Sequence, residues 1–170
     1  MAQFLSIPIA DKASSGTATA TTSNKLVDTD QSFLTDAEVS IGDIIHNTTN
    51  NTIATITNLD SETVLSISID IMADTNTYVI YSATSYTTQL ISARNISIVE
   101  QLSVNAVTVL YSLGTGAADL ITITHATQAT GYAMRDAIQN ALVQAYVVKN
   151  APDVVIPVAI TKTVIGISIA

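Results

Sequence analysis

The chain has 170 residues, 48% of them hydrophobic and only 12% charged, with a formal net charge of −8 and no cysteine. The hydrophobic share excludes a disordered chain and suffices for one large or two small cores, while the missing cysteines remove disulfides, thiolate catalysis and cysteine zinc sites together. Six scattered basic residues and a pI near 4.3 exclude the clustered Lys and Arg that phosphate binding calls for, so nucleic acid is not an expected partner.

The N-terminal MAQFLSIPIADK lacks a basic n-region and a long apolar h-region and is not read as a signal peptide. No apolar run reaches the roughly 18 residues of a membrane span, so no membrane partner is expected. Gln3–Ile9 reads as a short strand in which Pro8 is tolerable only at an edge or a strand end. Ala13–Thr22, rich in Ser, Gly, Ala and Thr, reads as a connection and a domain boundary.

Five short strand-like segments follow: KLVD, VSIGDIIHN, NTIATITNL, TVLSISIDI and NTYVIYS. Their separators, Thr48–Asn51 and Asp60–Glu62, are clusters whose side chains bond the local backbone and favour turns. Gly42 marks a bulge or bend, and the series predicts a small SH3-like or rolled β-barrel.

After Thr84 come NISIVEQL, AVTVLYSL and a hairpin turn at Gly114 and Gly116, then Leu120–Thr124, where Ile121 and Ile123 alternate with Thr122 and Thr124. The period then changes. Met134, Ile138, Leu142 and Tyr146 recur every four residues beside Ala137, Ala141 and Ala145, predicting one helix with a single apolar stripe. Thr127 or Thr130 is its expected N-cap; Lys149 suits its C-terminus, and Asn150 and Pro152 mark its stop. The last segments, DVVIPVA and VIGISIA, are nearly all apolar, as when both faces or an oligomer contact are covered.

Charge divides the chain in the same way. Asp28, Asp30, Asp36, Glu38, Asp43, Asp60, Glu62, Asp70 and Asp74 stand against Lys25 alone between residues 13 and 84, a net of −8, while five acids and five bases elsewhere cancel. The expected fold is therefore α+β and mostly β. Residues 1–12 with 85–170 make a framework of antiparallel sheet plus one helix, interrupted by an acidic β module at 13–84. Two sequential domains, with the first strand in the first, are the alternative.

Candidate sites are sparse. His125 follows a strand and has no second His or nucleophile motif near it, which favours a structural histidine bonded to backbone. His46, beside the Asn-Thr turn, is weaker. Asp28-x-Asp30-x-Ser32 opens like a calcium loop, but Phe33 and Val39 stand where an EF-hand needs Gly and Glu. Gly114-x-Gly116 lacks the third glycine of a dinucleotide loop. Asn47, Asn50 and Asn95 open glycosylation sequons, and Tyr78, Tyr81 and Tyr86 could line a sugar-binding face, although packing or an interface role is favoured. No nucleophile, base and orienting group fall together, so no catalytic residue, metal or cofactor is assigned.

The segment NKLVDTDQSFLTDAEVSIGDIIHNTTNNTIATITNLDSETVLSISIDI, ending in TYVIYS, is similar to a small β module of structural proteins of tailed phages from aquatic bacteria. The framework MAQFLSIPI with TQLISARNISIVEQ, DLITITHA and AMRDAIQNALVQA resembles short virion proteins of marine cyanophages, from which the inserted module departs. The resemblance implies a virion component made in the host bacterial cytoplasm, foremost a capsid decoration or cement protein on the capsid exterior. Its implied partners are the major capsid protein and further copies of itself, with trimers at local three-fold positions. A tail, neck or fibre component and a host-surface glycan-binding module are the alternatives.

Overall fold

The computed structural model describes residues 3–35, 38–111, 119–128, 131–148 and 154–170. The expectations at Thr130, Gly114, Gly116, Lys149, Asn150 and Pro152 fall outside them. In chain order the elements are β1 (Gln3–Thr17), β2 (Lys25–Val27), β3 (Ile44–Asn47), β4 (Thr52–Ser61), β5 (Val64–Ile67), β6 (Thr77–Ser92), β7 (Ile96–Ser103), β8 (Ala106–Tyr111), β9 (Leu120–His125), α1 (Ala133–Val147), β10 (Val154–Pro157) and β11 (Val164–Ile169). The fold is α+β and mostly β. It divides into two compact units, an insert unit, Ala10–Tyr86, and a framework unit, Met1–Ile9 with Thr87–Ala170. The whole net charge of −8 belongs to the insert.

Both boundaries lie inside strands, which corrects the sequence reading. Residues 13–17 were expected to be a connection and instead complete β1; residues 83–92, after YVIYS, continue β6. Small, Ser- and Thr-rich strands look like linkers in sequence because their backbone pairing, rather than apolar periodicity, keeps them extended.

In the insert unit, neighbouring strands run in the order β1, β6, β3, β4, β5, β2. The ring closes just after β1. Ala18 N donates to Asn76 O at 2.8 Å and accepts at its carbonyl from Thr75 N at 2.8 Å, while Thr19 N donates to Val27 O at 2.8 Å on the other side. Closure leaves no long free edge. Leu26, Phe33, Ile45, Ile56, Leu65, Tyr78 and Ile80 fill the interior. Gly42, at φ 99, belongs to the turn before β3 rather than to a bulge within a strand, so the expected VSIGDIIHN strand shrinks to Ile44–Asn47. A side chain at that φ would be strained.

In the framework unit, β11, β9, β8 and β7 form an antiparallel sheet in that order. One face carries Val107, Val109, Ile121, Ile123 and Val164, and these pack with Met134, Ile138, Ala141, Leu142 and Ala145 of α1 into one core with Leu5, Ile7 and Ile91. Each buried aliphatic side chain contributes roughly 1.5–3 kcal/mol. The helical stripe differs from expectation at its end: Ala145 is fully buried, whereas Tyr146 is 46% exposed and its hydroxyl donates to Ala93 O at 2.8 Å. The N-cap is Tyr132 without a side-chain cap bond, so Thr127 does not cap the helix. Gln3 Nε2 instead ties the far end, donating to Ala145 O at 2.6 Å.

β1 pairs in parallel with β10 over Gln3–Ser6. Gln3 O accepts from Ala93 N and Ser6 O from Val158 N, so alternation points the Pro8 nitrogen to the β10 side, beyond the last paired residue. Pro8 thus sits at a local edge inside a continuous strand. The apolar β10 and β11 are not covered on both faces within the chain: Val155 is 48% exposed and Ile169 66%.

Ile138→Asp would bury an uncompensated carboxylate in the framework core at a cost of several kcal/mol and should abolish its folding, seen as lost helical circular dichroism. Asp60→Asn should leave the fold intact. Asp60 accepts from Lys25 Nζ, Ser66 Oγ and Asn58 Nδ2, each at 2.7 Å, and these bonds, Lys25 foremost, lower its pKa from 3.8 to about 2. Its contribution is complete above pH 3.8 and lost as pH falls to about 2. Asp60→Asn should therefore change neutral-pH stability by less than about 1 kcal/mol and flatten that acid limb in denaturant titrations.

Candidate interaction surface

The sequence-predicted polar residues are mostly interior struts. His125 is fully buried, with Nδ1 2.8 Å from Ala126 O and Nε2 3.0 Å from Gln101 Nε2. Desolvation holds its pKa below the ordinary histidine value, helped by the Lys162 charge and opposed by the Ala126 bond. His46 lies 2.9 Å from Asn51 Oδ1 at an exposed turn.

In the insert unit, Asp28 is 1% exposed, and its carboxylate accepts from Tyr78 Oη at 2.7 Å and from Asp30 N at 3.0 Å. Burial and the Asp28 carboxylate push the Tyr78 phenol well above its usual range. Asp28 and Asp30 thus share a local turn, and among the described residues no group of three His, Asp or Glu side chains is placed to hold a metal ion. Asn47 is fully buried. Its amide donates to Ile71 O at 2.6 Å and Asn76 Oδ1 at 2.9 Å, and its oxygen accepts from Thr49 N and Asn50 N. Such a residue is no glycan acceptor. Asn95 occupies a left-handed turn position at φ 63. The three tyrosines make no shared face: Tyr78 is interior, Tyr81 is half-buried and Tyr86 is 63% exposed.

Sequence reasoning missed Gly16. A Cβ there would stand 2.7 Å from Tyr78 Oη, 3.1 Å from Gln31 Nε2 and closer still to Asp28 Oδ2. A glycine inside a strand marks such a close approach, but the surrounding Ser and Thr disguised the strand.

The framework sheet has a second face, opposite α1. Register places Ile98, Leu110 and Leu120 in one row across it, then Glu100, Thr108, Thr122 and Ser168, then Ala106, Thr124 and Gly166. Ile98 is 54% exposed, and Leu102, next along β7, is 62% exposed. Glu100 is the only ionisable group among these residues. A solvated sheet face ordinarily alternates to charged and polar side chains, so this apolar and hydroxyl surface is unusual. A groove of about 250 Å³ in the framework unit is lined by Leu90, Ile91, Tyr111, Ile121, Ile167 and Ile169, with Asp119 also at its wall. The sequence signalled β7 as a strand but not its faces, because Ile98 and Val99 fall on opposite alternations.

Gly16→Ala should destabilise the insert by about 1–3 kcal/mol through overpacking. Tyr78→Phe, leaving Asp28 short of a donor, should cost about 1–3 kcal/mol. Their effects should fall short of additive in urea unfolding, since both act on one carboxylate. No family model matches the chain, and no curated protein or solved structure matches it.

Proposed function

We propose that this protein is a non-enzymatic structural component of a tailed-phage virion, a capsid decoration protein that binds and stabilises the shell of major capsid protein. The observation that carries this reading is the apolar and hydroxyl outer face of the framework sheet, on which Glu100 is the only ionisable residue among the described, paired positions. Burial of such a face is the non-directional, area-proportional attraction on which a permanently seated protein relies. Like charge makes the insert unit unsuited to self-contact and keeps it hydrated, while the framework, with equal numbers of acids and bases, meets a protein lattice or its own copies without that penalty. The resemblance of the NKLVD module and the MRDAIQ helix to phage virion proteins supplies the shell as partner.

Quantitative mass spectrometry of purified particles tests the assignment. Hundreds of copies per particle are expected; about a dozen or fewer would move the protein to the tail or neck, and complete absence would overturn the virion reading. Ile98→Glu with Leu102→Glu should lower occupancy on shells more than tenfold, each side chain forfeiting up to about 1.5–3 kcal/mol of burial, while the helical circular dichroism of the unbound protein stays unchanged.

A further inference from the structure

The turn joining β7 to β8, Ser103–Ala106, has four backbone carbonyls, and each accepts a bond from one of three residues outside the turn. Gln101 Nε2 donates to Ser103 O at 2.7 Å and Ala106 O at 3.1 Å, Gln128 N to Val104 O at 2.9 Å, and His125 N to Asn105 O at 2.9 Å. The same Gln101 nitrogen lies 3.0 Å from His125 Nε2. Two amide protons therefore face three acceptors, while Gln101 Oε1 is buried without a partner. Ala126 O can only accept, so the proton of the neutral His125 ring sits on Nδ1, and Nε2 offers a lone pair to the Gln101 amide.

The surroundings give a charged ring little help. β11 carries no ionisable side chain, and β8 only Tyr111, at its far end. Asp119 precedes the opposite end of β9, and Glu100 belongs to the other face of the sheet. Arg135 and Asp136 of α1 pair with each other at 2.7 Å, and Lys162, just before β11, opposes a second positive charge. The neutral ring is the form that fits, and its contribution to stability is lost as pH falls below the ordinary histidine value of 6.5.

We propose that His125 and Gln101 form a proton-operated latch on the β7–β8 turn: a proton added at Nε2 meets the amide N–H groups head-on and swings the Gln101 amide over. Oε1 then accepts the new Nε2–H, and the carbonyls of Ser103 and Ala106 lose the Gln101 donor. The turn opens locally while α1 and the strands around it stay folded. Opening re-presents Leu102 and Val104, which are 62% and 55% exposed. The latch stands on this geometry alone and holds whatever the protein binds.

Amide hydrogen exchange by NMR between pH 7.5 and pH 4, corrected for intrinsic rates, tests it together with the imidazole nitrogen shifts of His125. The expected result is exchange at Asn105, Ala106 and Gln128 faster by more than tenfold once the ring titrates, with α1 amides unchanged. Gln101→Met should show fast exchange at the turn at both pH values, erasing the difference. Unchanged exchange at the turn, a ring that stays neutral throughout, or a uniform rise across the framework unit would each overturn the latch.

Discussion

Two continuous strands each have to serve two hydrophobic cores. β1 delivers Leu5 and Ile7 to the framework core and leads to Ala18 in the insert core; β6 delivers Tyr78 and Ile80 to the insert and Ile91 to the framework. Strand side chains alternate with a period of two, so one slip in register along either strand would turn apolar residues out of both cores. The rest of the structure depends on that registration. Within the framework β1 pairs with β10 and reaches the end of α1 through Gln3 Nε2, and within the insert it leads into the ring closure at Ala18.

Buried polar side chains complete what apolar packing cannot specify. Asp28, Asn47 and His125 are all less than 2% exposed, and each is bonded to partners far along the chain or to a turn backbone. In a low-dielectric interior an unsatisfied carboxylate or amide is costly, which makes each cluster a discriminator against slipped arrangements. Asp28 illustrates the tightness: it needs the Tyr78 hydroxyl above it and the bare backbone of Gly16 beside it. Gln101 differs: like Thr52 Oγ1 and Gln128 Oε1 its oxygen is buried without a partner, and its nitrogen is also oversubscribed. On the proposed latch, a cluster that balances so narrowly responds to one added proton.

The division of charge gives the two units different physical characters. The insert keeps ten acids against Lys12 and Lys25, while the framework balances its charges and carries a partly exposed sheet face of Ile, Leu, Ala and Thr on which Ile98 stands out and Thr108 is buried. On the proposed reading, solubility and adhesion are thereby assigned to separate parts of one chain: repulsion between acidic units discourages indiscriminate aggregation, and the mostly apolar and hydroxyl face provides adhesive area. Tyr78 and Asn47, which might have read as part of a ligand face, are spent on interior bonds instead, and the outer sheet is the candidate surface.

By itself the sequence determined what short-range physics controls. The four-residue recurrence of Met134, Ile138 and Leu142 specified the helix and its buried stripe, the Ile–Thr alternation specified β9, and the segregation of acids marked the insert. Only the tertiary structure decided the features made by residues distant in sequence. It ran β1 and β6 through stretches that looked like linkers, because long-range backbone pairing needs no apolar pattern. It put Ala145 rather than Tyr146 at the buried end of the stripe, and it gave Gly16 its purpose through a carboxylate twelve residues away and a tyrosine on another strand. Which alternation of β7 faces outward was likewise a tertiary choice, since burial is a property of what packs against a strand and not of the strand alone.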